Sequence, residues 1–131
     1  MNNPALRPIA ISCGEPAGIG PEVAAAAWAA IGVDIPLLWL GDPRHLPAGV
    51  PFEVVAEPKE AIAVSPRALP VLAHDFGSIN TPGTAVSAHA QHVIAVIAKG
   101  VDLVQTGQAG ALCTAPIHKH ALQTGAGFAY P

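Results

Sequence analysis

Short apolar runs alternate along the chain with longer mixed stretches, and this alternation predicts the elements. Ile9-Ala10-Ile11, within 8–12, reads as a buried first strand. The alanine-rich run from Val23 to Ile31 predicts a helix. Pro21 suits its first turn, where a missing N–H costs nothing, and Gly32 marks its end. Leu37-Leu38-Trp39-Leu40 predicts a second strand, followed by Gly41-Asp42-Pro43 as a turn or helix cap and one helical turn over 44–48. Phe52 to Ala56 predicts a third, outer strand, and Leu69 to His74 a further short one. Between them, 58–63 fits either a short helix or an irregular crossover. Turn formers dominate 75–83, which predicts a loop.

The longest helical pattern runs from Thr84 to about Gly107. Val86, Val93, Ile94, Val96, Ile97, Val101 and Val104 recur at three- and four-residue spacing and define its buried face, with Gly100 as a kink or an early end. Ala109 to Thr114 predicts the last strand and Ile117 to about Thr124 a final helix. Strands alternating with helices predict the α/β class, a three-layer α/β/α arrangement on a mainly parallel sheet with right-handed crossovers.

Composition narrows this picture. At 131 residues the chain is long enough for one domain with its own core, and 51% apolar against 11% charged residues is not a disordered composition. A net charge of −3 gives no electrostatic footprint for nucleic acid. The apolar runs are short and broken by Gly and Pro, so no membrane span is expected. The opening Met-Asn-Asn-Pro-Ala-Leu-Arg-Pro lacks the order of a signal peptide, and a cytoplasmic location is the expectation. Cys13 and Cys113 have no metal or redox spacing, and their positions at strand ends predict buried thiols.

Two junctions stand out. Cys13-Gly14-Glu15-Pro16-Ala17-Gly18-Ile19-Gly20-Pro21-Glu22 joins the first strand to the first helix, and Thr114-Ala115-Pro116-Ile117-His118-Lys119 leaves the last strand. Both fall at the carboxyl edge expected of a parallel sheet, where α/β proteins bind ligands, so both are placed on one active-site edge. Gly14, Gly18 and Gly20 match neither the dinucleotide fingerprint nor a P-loop. They serve either a close approach to a ligand or a plain tight turn. Glu15 faces a ligand or caps backbone N–H groups, and Glu22 suits the positive end of the helix dipole. Thr114, His118 and Lys119 are candidates for the substrate side: imidazole moves protons near neutral pH, and lysine holds phosphate or carboxylate. The alternative for His118 and Lys119 is an exposed first helical turn. His89 and His92 lack an acidic partner at helical spacing and read as surface or interface residues; His45 and His74 read as isolated. Asp75-Phe76-Gly77 matches a kinase tripeptide by chance, since no other kinase motif is present.

The segments 13–22 and 114–119 resemble the two signatures of the 4-hydroxythreonine-4-phosphate dehydrogenase family, with Glu15 where the family has Asp. The resemblance extends over nearly the whole chain. It implies an isocitrate/isopropylmalate dehydrogenase-like fold and NAD(P)-dependent oxidation of 4-phosphooxy-L-threonine. Decarboxylation to 3-amino-2-oxopropyl phosphate follows, on the route to pyridoxal phosphate. It further implies NAD or NADP, a divalent metal (Zn, Mg or Co), a phosphorylated small-molecule substrate and a homodimer in the full-length parent. The family's metal-binding histidines, phosphate-binding basic residues and most cofactor contacts fall beyond Pro131, so no histidine of this chain matches a family metal ligand. Residues 1–131 are therefore expected to be the N-terminal portion of a two-domain dehydrogenase, incomplete in fold and inactive alone, with no metal bound. Apolar surface is expected where further elements would pack. Two other readings remain open at this point: a paralogous dehydrogenase of four-carbon acid-sugar phosphates or aromatic dihydrodiols, and a non-catalytic binding domain derived from the family.

Overall fold

The computed structural model describes residues 6–118, 122 and 125–127. Five strands form one parallel sheet in the order β3-β4-β2-β1-β5. They are β1 Ile9–Ser12, β2 Leu37–Gly41, β3 Phe52–Val54, β4 Leu69–Ala73 and β5 Ala111–Thr114. The helices among the described residues are α1 Gly20–Ile31, α2 Ala61–Val64 and α3 Ala90–Gln105, with 3-10 turns at Pro43–His45, Pro58–Glu60 and Ser87–His89. From β1 to β2 the chain steps one way across the sheet, and from β4 to β5 it steps the other way. With right-handed crossovers, opposite steps put α1 and α3 on opposite faces, which makes the three layers.

All five residues of β2 are buried, because a central parallel strand is covered on both faces and needs no polar side. The register sets Ala10 beside both Leu38 and Leu112. α3 packs on this face of the sheet, and Gly100 is where it comes nearest: a side chain there would meet Leu112 Cδ1 at 2.6 Å. Gly100 thus neither kinks nor ends the helix, which continues to Gln105.

Ser65 ties α1, α2 and β2 together at the amino edge of the sheet. Its buried hydroxyl accepts from Leu37 N–H at 3.2 Å and donates to Gly32 O at 2.7 Å, while its carbonyl accepts from Trp28 Nε1 at 2.7 Å. Ser65→Ala would strand a buried donor and a buried acceptor, and a loss of about 2 kcal/mol is expected in urea unfolding. A change under a few tenths of a kcal/mol would show that water replaces the hydroxyl.

Gly32 ends α1 as expected, in a right-handed conformation (φ −61°), and the glycine is needed because the Trp28 indole lies against it. Several other expectations are corrected. The last long helix begins at Ala90, since 84–86 are not helical and Ser87–His89 form a 3-10 turn. Val101 is exposed, and Leu103 takes its place on the buried face with Val93 and Val96. Cys113 is exposed because β5 is an edge strand, with only Leu112 half-buried. Ile117 and His118 are not helical, while Leu122, Gly125 and Ala126 are. The rest of the expected final helix, including Lys119, lies outside the described residues.

Candidate active-site edge

The two glycine- and proline-bearing junctions meet at the carboxyl edge of the sheet. β1 and β5 pair in register from Ile9–Ala111 to Ser12–Thr114, so the loops leaving them start side by side. Ala115 N–H donates to Ser12 O at 3.3 Å, and Glu15 N–H donates to Pro116 O at 2.9 Å. Gly14 has φ +68°, and a side chain there would stand 2.5 Å from Pro116 O and 2.8 Å from Ala115 Cβ. At Gly20 a side chain would meet the carbonyl of Cys13. Gly14 therefore serves the contact between the loops, while Gly20 serves the turn of the first loop and its approach to Ala115 Cβ at 3.1 Å. Gly18 differs: it is exposed, and a side chain there would make only ordinary contact with Glu15.

Glu15 is buried and turned back into its own loop, where its Oε1 accepts from Ala17 N–H at 3.2 Å. Glu22 is exposed in the first turn of α1, as a dipole partner should be. Thr114 and His118 are exposed beside the first loop. Cys13 is fully buried; burial pushes its thiol up to about 12, and the charges of Glu15 and Asp42 add to this, so it is no nucleophile.

A third segment, 75–84, packs onto the first loop. Asn80 Nδ2 donates to Pro16 O at 2.7 Å and Gly83 N–H donates to Ala17 O at 2.8 Å. Its base is held by Asp42, which is buried and caps the Pro43–His45 turn. The Asp42 carboxylate accepts from Arg44 N–H, Nε and Nη2 and from Phe76 N–H at 3.0 Å. Burial alone would push this carboxyl up, but the Arg44 guanidinium and the backbone N–H groups of Phe76 and Arg44 outweigh it and hold it well below the usual carboxylate range.

Around Phe76 the fold gathers four histidines that sequence spacing leaves apart. His45, His74, His89 and His92 lie with ring centroids 5.2–5.6 Å from Phe76. His45 and His89 are buried, so neither is isolated or on the surface. His74 Nε2 and His92 Nδ1 are 2.9 Å apart, and Ser78 bridges His45 and His89 through its carbonyl and hydroxyl, each at 2.8 Å. The one local signal is Asp75-Phe76-Gly77, whose apolar member sits between turn formers. Among the described residues no group of three or more His, Cys, Asp or Glu is placed to hold a metal ion. The metal implied by the resemblance thus finds no ligand set among these residues. A cavity of about 380 Å³ opens at the opposite, amino edge beside Arg7, Lys59 and Gln108.

A parallel sheet covered by helices on both faces, with paired loops at its carboxyl edge, is a doubly wound α/β domain, the kind of fold in which ligands bind at that edge. Residues 34–131 match the family of the pyridoxal phosphate biosynthetic protein PdxA. The chain belongs to that family. It is 57% identical over 129 residues to the 4-hydroxythreonine-4-phosphate dehydrogenase of Roseobacter denitrificans, covering 98% of this chain and 40% of that protein. With the enzyme of the same name from Paracoccus denitrificans it is 50% identical over 125 residues, covering 95% and 37%. The solved structure of the Klebsiella pneumoniae 4-hydroxythreonine-4-phosphate dehydrogenase superposes with a TM-score of 0.81 at 26% identity, over 95% of this chain and 41% of that one. That of Burkholderia phymatum gives 0.76 at 26%, over 92% and 39%. The fold is isocitrate dehydrogenase-like, and the chain spans about 40% of the length of the relatives it matches. Among the described residues no helix is long and apolar enough to cross a membrane.

Proposed function

We propose that the chain supplies one wall of the active site of a 4-hydroxythreonine-4-phosphate dehydrogenase, which oxidises the hydroxyl-bearing carbon of 4-phosphooxy-L-threonine and releases carbon dioxide. The observation behind this reading is the junction of the two signature loops at the β1–β5 edge, in a chain 57% identical to a relative of that name. Gly14 and Gly20 let the loops close on each other, and Glu15 holds the first loop's turn. Thr114 and His118 stand exposed on the second loop and are assigned, with Lys119, to the substrate side.

The hydride acceptor, NAD or NADP, and a divalent metal belong in this reading to parts of a longer protein, as does the homodimer contact. The residues described here position and enclose. They hold neither group, and residues 1–131 act as the N-terminal portion of a two-domain enzyme. Apolar side chains stand in the open on α1 (Val23), just before it (Ile19) and on β3 (Phe52, Val54), which suits further packing. The test is turnover of 4-phosphooxy-L-threonine by the chain alone and by the Roseobacter denitrificans relative carrying this chain in place of its matching region. Activity confined to the chimera supports the reading.

A further inference from the structure

We propose that Asn80 is a positioning residue, which fixes the first signature loop from a rigid arm, residues 75–84, that neither signature contains. Its effect on turnover rests on the reading above, whereas its hold on the loop does not. The arm is fixed at both ends. At its base Phe76 N–H donates to Asp42 Oδ2 at 3.0 Å, Gly77 N–H donates to Asp75 Oδ1 at 2.7 Å, and the Ser78 carbonyl accepts from His45 Nε2 at 2.8 Å. Arg44 pairs with both Asp42 and Asp75 and closes this base. At the far end, Thr81-Pro82-Gly83-Thr84 has proline second, glycine third with φ +82°, and a bond from Thr84 N–H to Thr81 O at 3.0 Å. That is the pattern of a type II turn, in which glycine takes the positive φ that other residues resist.

Asn80 lies between these ends, half-buried, and its Nδ2 donates to Pro16 O at 2.7 Å. Gly83 N–H donates to Ala17 O at 2.8 Å. The loop's other bonds go elsewhere: Glu15 N–H to Pro116 O, Ala17 N–H to Glu15 Oε1 and Gly18 N–H to Glu15 O. The second signature loop therefore holds the first at Glu15, and the arm holds it at the next two residues. Of the arm's two bonds only that of Asn80 comes from a side chain, so it can be removed with the backbone path unchanged. Pro16 is buried, and a carbonyl left there without a donor forces the loop to shift towards a new partner.

What the loop's position governs is the stretch that follows it. Gly18 and Ile19 are exposed and lead into Gly20, the first residue of α1, on the edge assigned to substrate. A loop that wanders there lowers the fraction of productive geometry, which slows the bound substrate more than it weakens binding. The requirement is for a donor. Asparagine offers N–H groups, whereas a carboxylate of the same shape offers acceptor oxygens alone and sets a charge against the Pro16 carbonyl. Shape and donation are therefore separable at this position: Asn80→Asp keeps the first and loses the second, and Asn80→Ala loses both.

Two measurements test this. In amide hydrogen exchange at pH 7 on the 131-residue chain, Asn80→Ala and Asn80→Asp are each expected to speed exchange of the Gly18 and Gly83 amides at least about 5-fold, with β2 amides such as Trp39 changed less than about 2-fold. In the Roseobacter denitrificans chimera, kcat on 4-phosphooxy-L-threonine is expected to fall about 10-fold in both variants, with KM changed less than about 3-fold. A residue that only stabilises the fold would speed β2 exchange as well and leave kcat per folded enzyme unchanged. Unchanged Gly18 and Gly83 exchange, a change shared equally by β2, or a kcat retained by Asn80→Asp would overturn the proposal. An unsubstituted chimera without activity would instead count against the proposed function, and the exchange result alone would then decide whether Asn80 holds the loop.

Discussion

Asp42→Ala is expected to destabilise the chain by about 3 kcal/mol, near 10 °C in midpoint for a domain of this size. The carboxylate is 2% exposed and accepts from a guanidinium and two backbone N–H groups at the point where β2, the Pro43–His45 turn and the 75–84 segment converge. Removing it leaves the Phe76 N–H buried without a partner and frees the turn it caps. Arg44 is half exposed and regains water, which limits the loss. The same residue sets an acid limit. Its carboxyl is lower in the folded chain than in the unfolded one, so its stabilisation is complete above about pH 4 and is lost as pH falls below that. Urea titrations at pH 7 and pH 3 should show the gap between parent and Asp42→Ala shrinking in acid. A constant gap would contradict the assignment.

Gly14→Ala is expected to cost a similar amount, about 3 kcal/mol, for a different reason. Its positive φ alone costs an L-residue roughly 1–2 kcal/mol. The added methyl also meets the backbone oxygen of Pro116, which no side-chain rotation can relieve. The loops must part, and the bond from Glu15 N–H to Pro116 O goes with them. Urea unfolding gives the loss, and faster exchange of the Glu15 amide shows where it arises. Gly18→Ala is the control: with φ outside the left-handed range and only ordinary contacts, it should change stability by less than about 0.5 kcal/mol.

Much of this fold is legible because its central strands are buried on both faces. Ile9-Ala10-Ile11 and Leu37-Leu38-Trp39-Leu40 read as uninterrupted apolar runs, and the sheet places them side by side. The position of β3 at the edge follows from its weaker alternation. The start of α3 is less legible, since Val86 continues the helical spacing although the chain there is still in a loop. Side-chain chemistry predicts burial for Cys113 and Val101, but burial at an edge depends on what lies alongside, which local pattern does not encode. The glycine loop is recognisable, though its role is not, because only the contact with Pro116 explains Gly14. The histidine cluster has no local signature beyond Asp75-Phe76-Gly77 at its centre. Its members come from the turn after β2, the end of β4, the turn before α3 and α3 itself, and only the order of strands brings them together around Phe76.

The proposed role as one wall of a dehydrogenase site requires the other wall for activity. Formation of NADH or NADPH on 4-phosphooxy-L-threonine measures this directly, in the chain alone and in the Roseobacter denitrificans enzyme carrying residues 1–131 in place of its own matching region. No turnover from the chain, and turnover from the chimera within about 10-fold of its parent, roughly 1.4 kcal/mol in barrier, is the predicted result. Reduction of the dinucleotide by the chain alone, or a folded chimera without activity, would contradict it.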